Sequence, residues 1–303
     1  MIKVSIIITS FNTKPILAAC LKSIYEYFDN DLYEIIIIDN ASTDGSVKFL
    51  RNNKMQNLKV IFNKRNIGFG AANNLGAKLA KGKFLMLLNS DTLITNNILP
   101  GMVDWIEKHD NIGVLSCSLT NKDGSIQGTG GFFPTLPRVF SWMTIQDLPF
   151  VDSLIKPFHP MKEKSLMTGA YFYKSQRELD WVTGAFMLIP RNVYKKVSGF
   201  DTDYFMYTEE VDLCFRIKTL GYKVYYNPEW QIVHLGGSSG KTGDNIIREF
   251  EGVKIFYQKH YPKWQMPILR LLLKKGSLLR MLFYKLTEKQ ESYQLYRKAF
   301  YEV

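Results

Sequence analysis

The feature that most constrains this chain is a run of five apolar residues, 84–88, that leads directly into Asn89, Ser90 and Asp91. A short apolar run bounded by turn-forming residues is typical of a strand buried on both faces of a parallel sheet. Ligands of open α/β sheets bind beyond the carboxyl ends of such strands, and Asp91 leaves the core at that point. Its carboxylate suits a hard divalent cation that shares its oxygen ligands with phosphates. The alternative, that the three residues only cap the next helix, fits the stretch equally well.

Strand-like segments alternate with helical segments through the first 120 residues. The strand-like segments have five or six residues each and lie at 4–9, 34–39, 58–62, 84–88 and 112–117. The second of them again ends in a carboxylate, Asp39. This alternation predicts right-handed β-α-β units and therefore an α/β fold, with a mostly parallel central sheet flanked by helices.

The segment 123–180 breaks this pattern, because glycine and proline interrupt a stretch rich in aromatic residues. It lacks the periodic spacing of a core element, so we predict an insertion or a mobile lid. Strand-like sequence returns at 181–190 and again at 222–226 and 230–234, and the chain reads as helical from 244 to its end.

Charge and cysteine content narrow the functional classes. The 303 residues carry a formal net charge of +11, which favours an anionic partner. The three cysteines lie far apart and form neither a metal-binding spacing nor a disulfide framework, which fits a reducing compartment. We recognise no signal peptide and no run of the roughly 20 apolar residues that a spanning helix needs. We therefore expect a cytoplasmic location.

Six motifs follow one another in an order known from one family. They are Ser-Phe-Asn at 10–12, Asp-Asn-Ala-Ser-Thr-Asp-Gly-Ser at 39–46, Asn-Ile-Gly-Phe-Gly at 66–70, Asn-Ser-Asp at 89–91, Glu-Glu-Val-Asp-Leu-Cys-Phe-Arg at 209–216, and His234. The set resembles the inverting glycosyltransferases of family two, which have the GT-A fold, over about residues 3–240. The Asn-Ser-Asp form and the Glu-Glu-Val-Asp-Leu-Cys run are most similar to bacterial rhamnosyltransferases.

The resemblance implies a domain organisation and a reaction. We expect a GT-A catalytic domain at 1–243, with a nucleotide-binding half of about 1–120 and an acceptor-side half of about 121–243, and a helical C-terminal extension at 244–303. The implied reaction is a hexosyl transfer from a nucleoside-diphosphate sugar, a TDP- or UDP-sugar with TDP-rhamnose first, to a lipid-linked glycan or cell-surface polysaccharide.

The resemblance also assigns the nucleotide contacts to the ends of the first four strands. Asp39 would accept a hydrogen bond from the N3–H of uracil or thymine, although a cap for the following loop is its structural alternative. The glycine at 68 would permit close approach of the backbone. The full set implied for the donor is Thr9, Phe11, Asn12, Asp39, Asn66, Gly68, Asn89, Ser90 and Asp91.

Two residues are candidate ligands for a divalent cation, Mg²⁺ or Mn²⁺. Asp91 takes most of this role, because Asn89 stands where the family often has an aspartate. His234 resembles the further metal residue of some members, and its imidazole would suit Mn²⁺ better than Mg²⁺. A structural histidine at a strand end is the alternative.

Inverting transfer needs one base to take the proton of the acceptor hydroxyl as that oxygen attacks. In the family the base is the second residue of a Glu-Asp pair, which maps onto Glu210, where the arm is one methylene longer. Glu209 and Asp212 are the other candidates, and an acidic first helical turn is the structural alternative. Asp212 and Arg216 lie four residues apart and can pair with each other.

The resemblance also implies roles for two further stretches of the chain. Residues 181–185 would line the acceptor and donor-sugar side, although Trp181 suits a core position equally well. The loop after His234 contains Ser238, Ser239 and Lys241 and would close over the diphosphate, with a solvated linker as the alternative.

Residues 259–303 contain ten Lys or Arg and three Asp or Glu, a net charge of +7, interleaved with leucine and methionine. This pattern predicts helices that lie in an anionic bilayer interface, in peripheral contact with the cytoplasmic face of the inner membrane. Packing against the main domain, or against a second subunit in a homodimer, is the alternative. We expect no nucleic-acid partner, because no recognition motif accompanies the charge.

Two other functions fit parts of the sequence. A nucleotidyltransferase would carry a glycine-rich basic loop after the first strand, where this chain has Thr-Ser-Phe-Asn-Thr at 9–13. A non-catalytic sugar-nucleotide-binding scaffold of a polysaccharide assembly complex is the stronger alternative, because Asn89 and Glu210 depart from the family pattern.

Overall fold

The computed structural model describes residues 2–29, 31–53, 55, 57–146, 148, 151–159, 171–236 and 245–303. Its strands are β1 (Val4–Ser10), β2 (Tyr33–Asp39), β3 (Leu58–Phe62), β4 (Phe84–Asn89), β5 (Thr92–Leu93), β6 (Ile112–Thr120), β7 (Gly130–Gly131), β8 (Arg177–Leu179), β9 (Trp181–Val182), β10 (Phe186–Pro190) and β11 (Lys223–His234). Its helices are α1 (Lys14–Tyr27), α2 (Ser46–Asn52), α3 (Phe69–Leu79), α4 (Leu99–Glu107), α5 (Leu136–Met143), α6 (Val151–Leu154), α7 (Arg191–Lys196), α8 (Glu209–Thr219), α9 (Asn245–His260), α10 (Gln265–Leu286) and α11 (Gln290–Glu302), with a 3₁₀ turn at Phe172–Lys174.

In the described part of the chain, nine strands form one sheet in the order β3-β2-β1-β4-β10-β6-β11-β5, and β8 pairs with β11. Strands β3, β2, β1 and β4 are parallel, and β11 is parallel to β6, whereas β10 runs antiparallel to both of its neighbours. The register aligns Thr9 with Asn89 and Ser10 with Asp39, so the parallel strands end at one level. The predicted α/β fold with a mostly parallel central sheet is confirmed.

The sheet is buried on both faces because its inner strands are almost wholly apolar. On β1, Ile6 and Ile8 pack into a core with α1 and α4, while Ile7 packs into the opposite core with α3 and α8. Helices cover both faces, which leaves the carboxyl edge of the parallel strands as the place where polar side chains emerge. All three cysteines are buried and free.

The segment 123–180 is better packed than the sequence predicts. In its described part Val139, Trp142 and Met143 of α5 are buried, as are Phe158 and Tyr173. The absence of periodic spacing in this segment therefore does not mean that its residues are unpacked. The reason is that short elements and isolated aromatic anchors bury apolar surface without a repeat long enough to detect.

Two predicted strand boundaries also differ from the structure. The stretch 181–190 is two strands, β9 and β10, separated by a turn at 183–185. The two segments predicted at 222–226 and 230–234 are one strand, β11, whose register on β6 shifts between Asn227 and Gln231. An irregular ladder of this kind joins two apolar runs that look separate in sequence.

Helix α9 shares the core of the sheet. Its residues Ile247, Phe250, Val253 and Phe256 are buried in the same hydrophobic cluster as Ile7 of β1. Helices α10 and α11 pack on each other and on α5 and α9. None of the described helices combines the length and the apolar character needed to cross a membrane.

Candidate active site

An open cavity of about 340 Å³ lies at the carboxyl edge of the parallel strands. Its lining combines residues from the ends of β1 and β4, from the turn between β9 and β10, from the start of α8 and from α9. The predicted site residues that line it are Thr9, Phe11, Asn66, Asn89, Ser90, Asp91 and Glu210. The structure therefore brings the candidate cation ligand and the candidate base to one cavity.

The other four predicted residues lie beside lining residues rather than among them. Phe11 and Asn40 line the cavity next to Asn12 and Asp39 in the chain, and Gly68 is flanked in the same way by Asn66 and Phe69. His234 contacts Asp91 across two strands. Thr183, Gly184 and Ala185 also line the cavity, whereas Trp181 is buried in the core.

The two carboxylate oxygens of Asp39 differ in their partners. Its Oδ1 accepts a hydrogen bond from the Ser42 backbone N–H at 2.9 Å, which shapes the loop after β2. Its Oδ2 is buried without a hydrogen-bond partner, as is Oγ1 of Thr9. A buried acceptor left unpaired is energetically costly, so Oδ2 suits a ligand that donates an N–H.

The loops around this position are held by side-chain amides. Oδ1 of Asn12, which has φ +55°, accepts from the Thr43 N–H at 2.7 Å, so this amide oxygen joins the loops after β1 and β2. Oδ1 of Asn66 accepts from the N–H of Gly68 at 2.9 Å. Gly68 has φ +85°, and a Cβ there would lie 2.4 Å from the carbonyl oxygen of Phe205. The close approach that requires this glycine is thus to the protein backbone, where the sequence suggested a ligand.

Asp91 and His234 meet although 143 positions separate them, because β5 pairs antiparallel with β11 and aligns Thr92 with His234. The Leu235 N–H donates to the carbonyl of Asp91 at 2.8 Å and closes the pair. Oδ1 of Asp91 then lies 3.3 Å from Nε2 of His234.

Gln127 fixes the imidazole of His234. The Gln127 amide nitrogen donates to Oδ1 of Asn121 at 2.6 Å and to the His234 carbonyl at 2.7 Å. Its Oε1 therefore faces Nδ1 of His234, at 2.8 Å, and Nδ1 must be the donor. With a proton on Nδ1 alone, the His234 imidazole would present the lone pair of Nε2 to a cation held beside the Asp91 carboxylate.

This pair fits a shared cation. Two ligand atoms bound at about 2.1 Å, with an angle of about 90–110° at the metal, lie roughly 3.0–3.4 Å apart, and the observed separation is 3.3 Å. Within the described residues no third His, Cys, Asp or Glu joins them. A cation there would take its other ligands from phosphate oxygens or water.

The opposite side of the cavity carries Glu209 and Glu210, which open α8 as predicted. They follow Tyr207 and Thr208, both left-handed with φ +70° and +71°. Oε2 of each glutamate is buried without a partner. Burial raises the pKa of Glu210 to about 7, and burial together with the charge of Glu210 raises the pKa of Glu209 well above its usual range. A carboxylate with a pKa near 7 is suited to accept a proton from a hydroxyl.

Asp212 belongs to a buried cluster of hydrogen-bonded charged side chains. It is fully buried, and its carboxylate pairs with Arg216 and with Nε2 of His260, both at 2.7 Å. It does not line the cavity. The predicted pairing with Arg216 is present, and Asp212 is the weakest of the three candidate bases.

Sequence reasoning missed several residues at or next to the cavity, among them Gln127, Asn245 and Arg248. Gln127 lies in the segment that seemed unstructured, and the other two lie on a helix taken for an extension. Only the three-residue spacing of Asn245 and Arg248 on one helical face could have marked them. Ser238, Ser239 and Lys241 lie outside the described residues.

The sheet order and a cavity with acidic groups on two sides fit the GT-A class of glycosyltransferases that the sequence predicted. The chain matches the family model of glycosyl transferase family 2 over residues 5–144 and that of glycosyl transferase family group 2 over residues 84–287. The second match spans more than half of the chain, so this protein belongs to the family 2 glycosyltransferases.

Relatives of known name agree with this assignment. The chain is 24% identical over 263 residues to an N-acetylglucosaminyl-diphospho-decaprenol L-rhamnosyltransferase of Mycobacterium tuberculosis, with 81% of each protein covered. It is 25% identical over 174 residues to the rhamnosyltransferase WbbL of Escherichia coli, covering 55% of this chain and 60% of that one.

Solved structures support the fold. The mannosyltransferase PcManGT from Pyrobaculum calidifontis, in complex with GDP-Man and Mn²⁺, superposes with a TM-score of 0.56 at 17% identity, over 98% of this chain and 73% of that one. GalNAc-T7 with UDP, GalNAc and Mn²⁺ gives 0.60 at 18% identity, over 86% and 49%. The predictions of a GT-A fold and of a family 2 glycosyltransferase are confirmed.

Proposed function

We propose that this glycosyltransferase moves a sugar, with rhamnose from TDP-rhamnose as the first candidate, to a lipid-linked or cell-surface glycan with inversion at the anomeric carbon. The observation that carries the proposal is that Asp91 and Glu210 line one cavity. A donor sugar bound there would have its diphosphate beside one carboxylate and its reacting carbon within reach of the other. The names of the two rhamnosyltransferase relatives support the choice of sugar, and the name of the first supports a lipid-linked acceptor.

The donor is bound, in this proposal, across the ends of β1 to β4. Oδ2 of Asp39 accepts the N3–H of the base, and Asn66 and Phe11 contact the nucleoside. Asp91 and His234 hold the divalent cation, Mn²⁺ or Mg²⁺, which supplies positive charge against the diphosphate when bound. The Mn²⁺ in the titles of the two superposed structures supports this choice.

Glu210 is the proposed base. The acceptor oxygen forms its bond to the anomeric carbon as the bond from that carbon to the diphosphate oxygen breaks, and the hydroxyl proton passes to the carboxylate of Glu210. Burial supports this role, because it raises the pKa of Glu210 to about 7 and makes the carboxylate a stronger base than an exposed one.

We also propose peripheral membrane contact through α10. The supporting feature is a row of apolar side chains, 39–76% exposed, along one face of this helix and its N-cap: Trp264, Ile268, Leu271, Leu278, Leu282 and Leu286. Leu269 and Leu273, on the opposite face, are buried. Lys274, Lys275 and Lys285 of the same helix are exposed, and their positive charge suits an anionic bilayer surface.

The membrane proposal predicts sedimentation with vesicles of phosphatidylglycerol and cardiolipin and none with phosphatidylcholine vesicles. Leu278→Asp combined with Leu282→Asp should abolish the sedimentation and leave the melting temperature unchanged. If the double variant instead converts a dimer to a monomer in analytical ultracentrifugation, the face is a subunit interface and the membrane proposal fails.

The proposed reaction is tested in two stages. Thermal shift with UDP, TDP and GDP, with and without Mn²⁺, should give a Mn²⁺-dependent rise in melting temperature for one diphosphate, because a ligand stabilises the state that binds it. Transfer from the matching sugar nucleotide to a polyprenyl-diphospho-N-acetylglucosamine is then measured for wild type and Asp91→Asn. Undiminished transfer by the variant contradicts the cation role, and binding without turnover on any acceptor favours a scaffold.

A further inference from the structure

Helix α9 reaches back into the cavity with two polar side chains. Asn245 and Arg248 both belong to the lining, together with Asp91 and Glu210. We infer that Arg248 binds the diphosphate of the donor, so that α9 completes the nucleotide site. This inference rests on the proposed function, and it assigns to the C-terminal helices a role in the reaction.

The charges around the cavity favour a basic side chain for binding a diphosphate. Among the lining residues that the structure describes, Asp91, Glu209 and Glu210 are carboxyl groups, and Arg248 is the one Lys or Arg. A sugar diphosphate adds further negative charge to this acidic surface. A guanidinium stays charged at every physiological pH and matches two phosphate oxygens at once, which makes arginine suited to this contact.

Arg248 is held on the side of the cavity formed by the loops after β1, β2 and β3, the nucleotide side of the proposed site. Its guanidinium carbon lies 4.9 Å from the centroid of the Phe205 ring, a distance typical of a cation–π contact. The carbonyl of Phe205 accepts from the Phe69 N–H at 3.1 Å and fills the space above Gly68. The ring that supports Arg248 is therefore fastened to the loop after β3, where the sugar nucleotide is proposed to lie.

The adjacent acid does not neutralise Arg248. Glu249 is the next residue on α9, and its Oε1 lies 2.6 Å from Nε2 of His159. With that carboxylate engaged, the guanidinium remains available to an anionic ligand.

The helix itself is fixed against the turn that presents the candidate base. At Gly252, one turn after Arg248, a Cβ would lie 2.5 Å from Oγ1 of Thr208 and 2.8 Å from the carbonyl of Tyr207. This close packing leaves no space between α9 and the residues that precede Glu209. Arg248 therefore sits on a rigid support, which a specific phosphate contact requires.

The test compares nucleoside diphosphates with nucleosides by isothermal titration calorimetry. The variants are Arg248→Gln, Arg248→Lys and, as a control, Arg297→Gln, which removes an exposed arginine from α11. The probes are TDP and UDP with Mn²⁺, and thymidine and uridine. We expect Arg248→Gln to weaken binding of the diphosphate by on the order of tenfold to a hundredfold, as for a lost charged hydrogen bond, with nucleoside affinity unchanged. Arg248→Lys should lie between, and the control should match wild type.

The other outcomes would overturn either the Arg248 inference alone or the proposed function as well. Equal loss of diphosphate and nucleoside affinity in Arg248→Gln would make the residue structural and overturn the inference, as would an unchanged diphosphate affinity. If wild type binds one diphosphate and the variant binds it equally well, only the Arg248 inference fails. If wild type binds neither TDP nor UDP, the proposed function fails and the inference falls with it.

Discussion

The two sides of the cavity satisfy their polar atoms in different ways. On the nucleotide side, oxygens of Asn12, Asp39 and Asn66 each accept a backbone N–H within the loops that follow β1, β2 and β3. On the opposite side, Glu209 and Glu210 each bury an oxygen that has no partner. The side proposed to bind the nucleotide has loops that are already hydrogen-bonded, with Oδ2 of Asp39 and Oγ1 of Thr9 left free, whereas the other side carries two carboxyl groups whose ionisation burial opposes.

This difference predicts that the first side mainly binds the donor and that the second mainly takes part in the reaction. A template built on strand ends loses little free energy when the ligand is absent, because its loops are already hydrogen-bonded. A buried carboxyl pair destabilises the fold whenever it ionises, and such a site is retained where reactivity depends on it. We therefore expect substitutions on the first side to change affinity and those on the second to change rate and stability.

The largest effect should come from the candidate base. Glu210→Gln keeps the shape of the side chain and removes its ability to accept a proton, so kcat should fall by roughly 10²–10⁴-fold with donor affinity nearly unchanged. Steady-state transfer and donor titration measure the two quantities. Glu26→Gln, on the exposed face of α1, is the matched control. If Glu209→Gln abolishes transfer while Glu210→Gln does not, the base is the neighbouring residue.

Affinity and base preference should change together at Asp39. In Asp39→Asn, the Ser42 N–H retains the side-chain oxygen, so the new amide nitrogen takes the place of the free Oδ2. That nitrogen donates, so it repels the N3–H of uracil or thymine and suits the N3 acceptor of cytosine. Binding of UDP and TDP should weaken by about 10- to 100-fold while CDP binds more tightly than to wild type. Calorimetry that finds equal losses for all three would exclude a contact to the base.

If His234 binds the cation as proposed, the affinity should depend on the orientation of its imidazole, which Gln127 fixes. Gln127→Leu removes the acceptor that fixes Nδ1–H, and Mn²⁺ binding should weaken by about 10- to 100-fold, as for other supporting partners of metal ligands. Gln127→Glu keeps an acceptor for Nδ1–H but loses the donor to Asn121 and to the His234 carbonyl, so it should retain only part of the affinity. Binding is followed by electron paramagnetic resonance of free Mn²⁺, with Gln231→Leu on the exposed face of β11 as control. Equal affinity in wild type and Gln127→Leu would remove Gln127 from the site.

The sequence predicted the nucleotide side more completely than the other. Strands β1, β2 and β4 are continuous apolar runs that end in polar residues, so their order also located Asp39 and Asp91 at one edge. The pairing of Asp91 with His234 came from the family pattern, since the short strand β5 carries no periodic signal. Arg248 and Gln127 were missed because tertiary packing alone brings α9 and the segment after β6 to the cavity.

The last prediction concerns stability, and the raised pKa of Glu210 fixes the sign of its pH dependence. Burial raises the pKa of Glu210 from 4.5 to about 7, so the folded state retains a proton that the unfolded chain loses as the pH rises between these values. Wild type therefore loses stability over that interval, whereas Glu210→Gln, which never ionises, does not. The variant should gain stability relative to wild type at pH 8 and almost none at pH 4.5, measured by urea unfolding. A gain that does not vary with pH would mean that Glu210 is ionised at no cost, which would remove the contrast between the two sides of the cavity.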